Sequence, residues 1–176
     1  MSEKVVLEHE DLRRTLRRIA HEIAEKNPDS GQLAVVGIHT RGAVLARRLH
    51  VFLGELTGTE LPIGDLDISF YRDDVGAKAP ASQPVVHASH IDFDLAGRTV
   101  VLVDDVLYTG RTIRAAVNEL YDFGRPASVV LAVLVDRGGR ELPIAAACAP
   151  ATIELPAGKR LSLARDDVGK FSFEIR

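Results

Sequence analysis

Three apolar runs constrain this chain more than anything else in it. Leu33–Ile38 reads LAVVGI, Thr99–Val106 reads TVVLVDDV and Ser128–Asp136 reads SVVLAVLVD. Each is of strand length, and none shows the polar alternation of a strand with one face in water. Such runs belong in a sheet covered on both faces. Helical patterns separate them. Residues 8–26 place Leu12, Leu16, Ile19, Ala20 and Ile23 on one stripe, and Asn27-Pro28 stops the turn. A second helix runs from about Gly42 to Leu56, with Val44, Leu45, Leu49, Phe52 and Leu53 mostly inward. A third opens at Thr109-Gly110, carries Ile113, Val117 and Leu120, and closes at Gly124 and Pro126. Strands alternating with helices predict a parallel α/β sheet with right-handed crossovers. Ligands of such sheets sit at the carboxyl ends of the strands.

Two further segments alternate in period two. Leu66–Tyr71 (LDISFY) and the tail KFSFEIR each read as a strand. From Arg72 to about His90 the pattern weakens, with Asp73, Asp74, Gly76, Pro80, Ser82 and Pro84 as turn residues. A loop of that length inside a compact domain reads as a functional lid or a disordered patch. The full length of 176 residues fits one domain, 1–176. A net charge of −3 excludes nucleic-acid binding by bulk charge but not a local basic face. Cys148 is the one cysteine, so an intrachain disulfide and a Cys-rich zinc site are excluded. It reads as a small core residue, and a reducing cytoplasm is the expected compartment. The charged start has no signal-peptide core, and no apolar run reaches the roughly 20 residues of a membrane span.

The chemistry lies in Val100–Thr112, VVLVDDVLYTGRT. The strand delivers two adjacent carboxylates, Asp104 and Asp105, to the ligand-binding end of the sheet. The stretch Leu107-Tyr108-Thr109-Gly110-Arg111-Thr112 can wrap backbone N–H groups and hydroxyls around a phosphate at a helix N-terminus. Gly110 permits close backbone approach. Carboxylates beside a phosphate cradle describe a pentose 5-phosphate. A strand ending in Asp and a turn, with no ligand, is the bland alternative. The Walker A pattern is absent. Thr40-Arg41-Gly42 also follows an apolar strand and opens a helix. It is either a second anion loop or a helix cap with a surface arginine. His87 and His90 read as exposed loop histidines.

Val100–Thr112 resembles the phosphoribosyl pyrophosphate signature of type I phosphoribosyltransferases. A closer resemblance runs from about Val5 to Ile144. RRTLRRIAHEI, VGIHTRGAVLARRL, LDISFYRDD, the VLVDDVLYTGRT of Val101–Thr112 and GRPASVVLAVLVDRGGRELPI are similar to the PyrR family. The resemblance implies a mostly parallel sheet flanked by helices, with a flexible lid loop and a small hood. It implies uracil phosphoribosyltransferase activity with Mg²⁺ held through the substrate, Asp104 and Asp105 nearby. It also implies control of pyrimidine operons through leader RNA, with UMP as effector, and a homo-oligomer, dimer or hexamer.

By the same resemblance Asp104 and Asp105 hold the ribose diol and Thr40, Arg41 and Gly42 the pyrophosphate. The 5-phosphate falls to the loop, so Val106, Leu107, Tyr108, Thr109, Gly110, Arg111 and Thr112 complete the substrate contacts. Arg72 in Tyr71-Arg72-Asp73-Asp74 reaches the pyrophosphate when the lid closes. Val135, Asp136 and Arg137 wall the base through backbone groups, unless Asp136 and Arg137 form a surface ion pair. A phosphoribosyltransferase for a purine or orotate, without RNA binding, is the alternative activity.

At 100° per residue Arg13, Arg14, Arg17, Arg18 and His21 share an arc of roughly 140°. Such a face is ordinarily solvated, with Glu22 and Glu25 as partners. The resemblance assigns Arg14, Arg17, Arg18, His21 and, further on, Arg140 to RNA. Two departures weaken that role. After RELPI the chain reads AAACAPATIEL, with Ala145 and Ala151 where the family carries an Arg and a Lys. Arg17 also replaces a Thr typical of the helix. The loss of two cations removes about two phosphate contacts and flattens the salt dependence.

Overall fold

The computed structural model describes residues 4–69, 88–156 and 158–175, the first three by backbone alone. In chain order they form β1 (Lys4–Leu7), α1 (His9–Lys26), a 3₁₀ turn (Ser30–Gln32), β2 (Leu33–Ile38), α2 (Arg41–Thr57) and β3 (Ile63–Leu66). There follow β4 (Thr99–Leu107), α3 (Arg111–Asp122), β5 (Ser128–Asp136), β6 (Ala151–Thr152), β7 (Leu161–Arg165) and β8 (Phe171–Ile175). A five-stranded parallel sheet has the order β3-β2-β4-β5-β6. A three-stranded antiparallel hood has the order β1-β8-β7.

The three apolar runs are β2, β4 and β5, and their lack of alternation has the expected cause. Val101 and Val103 of β4 face one way, against α1, α2 and the hood residues Leu163, Phe171 and Phe173. Val100 and Leu102 face the other way, against Ile113, Ala116 and Leu120 of α3. Both faces are dry over Val100–Val103, so every position of that stretch is apolar. The five stripe residues of α1 are all buried. Each such side chain contributes roughly 1.5–3 kcal/mol of transfer free energy. Asn27 ends the helix, its Nδ2 donating to the Ile23 carbonyl at 2.8 Å.

One expected strand is displaced. Of the described part of the period-two segment Leu66–Tyr71, Leu66 alone is in a strand. The strand lies earlier, with Ile63 opposite Val35 and Leu66 opposite Ile38. The chain then turns at Asp67, which is 6% exposed and accepts the Ser69 amide at 2.8 Å through Oδ1. A side chain bonded two residues on competes with the ladder and ends it. Phe70 and Tyr71 lie outside the described residues, as do Arg72, Asp73, Asp74, His87 and the rest of the expected lid up to residue 87. Ser89 and His90 are ordered against the sheet edge, where Asp65 and His90 exchange backbone hydrogen bonds at 3.0 and 2.9 Å. The strands β1, β6 and β7 have four, two and five residues and left no pattern that the sequence reading caught.

Candidate active site

β2 and β4 are neighbours in the sheet, so the loops at their carboxyl ends open side by side. Between them lies a cavity of about 630 Å³, lined by Thr40 and Arg41 from one loop and Asp104, Asp105, Val106, Tyr108 and Thr112 from the other. His39, Asp67 and Ser69 close its third side. The sequence reading had no signal for Asp67 or Ser69, because β3 puts them there. It passed over His39 beside Thr40.

The β4 loop turns around one glycine. Gly110 has φ 93° and caps α3, whose first bond runs from the Arg114 amide to the Gly110 carbonyl at 3.0 Å. The left-handed geometry disfavours other residues. Among the described residues, the amides of Tyr108, Thr109, Gly110 and Thr112 donate to no acceptor. Unpaired amides at a helix N-terminus present positive potential to an anion. Leu107 differs from the rest of its segment. It is the last residue of β4 and buried in the core, so it takes part only through its main chain.

The back of this loop is braced. Arg140 donates to the Tyr108 carbonyl at 2.8 Å, the Ile144 carbonyl at 2.7 Å and Asp136 Oδ2 at 2.5 Å. The Arg140 bond holds the Asp136 carboxyl below the usual carboxylate range, against an opposing push from burial. Arg111 pairs with Glu141 at 2.6 Å. Arg137 stacks 3.9 Å from the Tyr108 ring centroid and donates to the Lys159 carbonyl at 3.0 Å. The ion pair considered between Asp136 and Arg137 is therefore an Asp136–Arg140 pair. The Val135 side chain is buried in the core. Val135, Asp136 and Arg137 are not among the described residues that line the cavity.

The two carboxylates differ. Asp104 is 8% exposed, and its Oδ1 accepts the Asp105 amide at 2.9 Å. Asp105 accepts the Val106 amide at 2.8 Å and turns Oδ2 towards Arg41, 3.7 Å away. Across the cavity, the amides of Thr40, Arg41 and Gly42 donate to no acceptor among the described residues. Gly42 permits the closeness of the loops, since a Cβ there would stand 2.4 Å from the Val103 carbonyl oxygen. Arg41 also reaches the hood, donating to Ser162 Oγ at 3.1 Å. Among the described residues, no group of three or more His, Cys, Asp or Glu can cage a metal ion.

On α1, Arg13, Arg14, Arg17, Arg18 and His21 are exposed on one face. Arg17 lies 5.1 Å from the Phe52 ring centroid, and Arg18 pairs with Glu22 at 3.2 Å. The structure separates Arg140 from this set, because its guanidinium is committed to the inside of the β4 loop. Ala145 is exposed and Ala151 partly so. Lys26 at the end of α1 donates to the Ala147 carbonyl at 3.2 Å, so that segment adjoins the helix. Cys148 is buried, and burial with the nearby Glu22 pushes its thiol up to about 11. Among the described residues no helix is long and apolar enough to cross a membrane.

Comparison with known proteins identifies the family and the fold. The phosphoribosyl transferase domain family model matches residues 4–151. A bifunctional PyrR protein of Roseiflexus sp. is 60% identical over 146 residues, covering 83% of this chain and 79% of that protein. Its counterpart from Deinococcus radiodurans is 50% identical over 169 residues, 96% of this chain and 87% of that protein. Among solved structures, the hypoxanthine phosphoribosyltransferase of Trypanosoma cruzi superposes with a TM-score of 0.72. It is 20% identical, over 99% of this chain and 96% of its own. That likeness concerns the fold.

Proposed function

This chain belongs to the PyrR family of phosphoribosyltransferases, and from that premise we propose two coupled functions for its one cavity. It joins uracil to phosphoribosyl pyrophosphate, giving UMP and pyrophosphate, and it regulates pyrimidine operons by binding leader RNA in response to UMP. The observation that carries the enzymatic reading is the pair of loops with unpaired amides facing each other over Asp104 and Asp105.

In the reaction the ring nitrogen of uracil bonds to ribose C1 as the C1–O bond to pyrophosphate breaks, and uracil gives up its N–H proton. Positive charge grows on the ribose in the transition state. Catalysis then rests on positioning and charge stabilisation. The amides of Tyr108 to Thr112 hold the 5-phosphate, with Val106 and Leu107 contributing main chain. Asp104 and Asp105 hold the ribose hydroxyls and face the growing charge. Thr40, Arg41 and Gly42 receive the pyrophosphate, Arg41 leaving Asp105 for it. Arg72 stays in the proposal as a further pyrophosphate contact. Main-chain groups at Val135, Asp136 and Arg137 meet the base.

Phosphoribosyltransferases typically depend on Mg²⁺. The donor set here fits an ion held mainly by substrate oxygens, with Asp104 and Asp105 nearby, since two carboxylates do not make a protein cage. When bound, Mg²⁺ supplies charge neutralisation on the pyrophosphate.

LVDRGGRELPI favours uracil over a purine or orotate. The expected result is Mg²⁺-dependent UMP formation by purified protein, with uracil winning a competition among bases. No turnover above background with any base defeats the enzyme reading, and preference for orotate or a purine replaces uracil. For RNA, the exposed face of Arg14, Arg17, Arg18 and His21 carries the reading. Gel-shift titration against a pyrimidine operon leader should show tighter binding with UMP than without, and binding equal to scrambled RNA rejects it. Ala145 and Ala151 leave this affinity weaker than the charge pattern of the family implies. A homo-oligomer, dimer or hexamer, and a cytoplasmic location belong to the same proposal.

A further inference from the structure

At the edge of the cavity one carboxylate oxygen serves two imidazoles. Asp65 Oδ1 on β3 lies 2.7 Å from His39 Nε2 and 3.2 Å from His90 Nδ1. His39 lines the cavity and is bonded covalently to Thr40, the first residue of the loop assigned to pyrophosphate. Main-chain bonds lock the arrangement. The His39 amide donates to Leu66 at 2.9 Å, and Asp65 and His90 form an antiparallel bridge. None of the mechanism above uses this cluster.

Its charge depends on how many protons it holds. With both imidazoles neutral the cluster carries −1, beside a loop meant for a polyanion. One added proton brings it to zero and two bring it to +1. Histidine is the side chain whose ordinary titration falls within working pH. Among the described residues, the other charged groups lining the cavity are Arg41, Asp67, Asp104 and Asp105. Of these Arg41 is the one cation among the described lining residues, and it faces Asp105.

We infer that His39, Asp65 and His90 form a proton-linked element of the pyrophosphate subsite, so that binding of a pyrophosphoryl group at Thr40–Gly42 draws a proton onto the cluster. The inference rests on the assignment of that loop to pyrophosphate. By linkage, a ligand whose binding takes up a proton binds more weakly as pH rises. UMP, which has no pyrophosphate, does not feel the cluster to the same degree.

Calorimetry with inorganic pyrophosphate, in two buffers of different ionisation heat, measures the protons taken up. Pyrophosphate titrates too, so wild type is compared with His39→Gln, His90→Gln and Asp65→Asn on the same ligand. The His90 side chain is 62% exposed, which makes its variant safe for folding. Wild type should take up more protons than each variant between pH 6 and 8. Its affinity should fall about tenfold more over that span than that of Asp65→Asn, the effect of one full proton-linked unit. UMP affinity should stay level across the four proteins. Equal proton uptake in wild type and all three variants overturns the inference and leaves the active-site reading intact. Loss of UMP and pyrophosphate affinity by the same factor shows a purely structural cluster and also overturns it. Wild type that binds neither ligand overturns the active-site reading itself, and the inference with it.

Discussion

The loops after β4 and β2 present the same chemistry to one cavity, yet they are held in different ways. The β4 loop is braced from behind by one segment, the stretch that follows β5. Arg140, Arg111 with Glu141, and Arg137 over Tyr108 all come from the loop or from the segment after β5. The β2 loop is short and leans on three separate strands, through Val103 and Asp105 on β4, Asp65 on β3 and Ser162 on β7. A braced loop suits a group that stays on the substrate throughout, the 5-phosphate. A loop whose supports are shared among separate elements suits the group that must leave.

The largest effect should come where the two loops meet. Asp105→Asn removes the carboxylate facing Arg41, and it should lower kcat/KM for UMP formation at least ~100-fold while the fold survives. Activity within a few-fold of wild type, in steady-state assays, would remove Asp105 from the mechanism and with it the link between the loops. Next is Gly42→Ala. Its Cβ would stand 2.4 Å from a backbone oxygen, so β2 and β4 must separate. A cost of about 1–3 kcal/mol in chemical denaturation is expected, together with a rise in KM for phosphoribosyl pyrophosphate.

Arg140→Ala tests the braced side. It leaves the Tyr108 and Ile144 carbonyls and the Asp136 carboxylate without their donor, for about 1–3 kcal/mol of stability at neutral pH. Part of that is acid-sensitive. Asp136 is depressed in the folded state, so its contribution is present above the unfolded carboxylate value of about 3.9 and is lost as pH falls through the folded value. The gap between wild type and Arg140→Ala should therefore narrow on acidification below about pH 4. A gap constant with pH would show that the Asp136–Arg140 pair is not its source. If Gly42→Ala and Arg140→Ala shift UMP affinity and pyrophosphate affinity alike, the contrast between the loops fails. The smallest effect lies outside both loops. Ala145→Arg should tighten leader RNA modestly and steepen the salt slope of log K by about 0.7–0.9, with UMP formation unchanged. An unchanged slope in filter binding separates that position from the RNA face.

Sequence reading reached the two loops unequally for the same reason. The β4 loop is contiguous, so Asp104, Asp105 and Tyr108 to Thr112 were all visible in one stretch. The burial of the Leu107 side chain was not visible there, because a strand end inside a motif has no mark of its own. Arg140 was visible as a cation but was read as facing outward. Only the fold shows the Tyr108, Ile144 and Asp136 oxygens waiting for it. Asp67 was hidden inside a period-two pattern that looked like a strand, and Asp65 and His90 had no shared signal across 25 residues. The hood strand β1 has four residues, too few to imprint a period.

Two things were therefore settled by the amino-acid order alone. One is the doubly covered parallel sheet, because strands dry on both faces must be apolar throughout. The other is the turn from β4 into α3 around Gly110, because a left-handed glycine at a helix start is a local event. Tertiary structure decided which residues face that turn. The parallel order β3-β2-β4 sets Asp65, Asp67, His39 and Asp105 around one opening. Crossovers between parallel strands separate such neighbours by tens of residues, so nothing local in the sequence can mark them as partners.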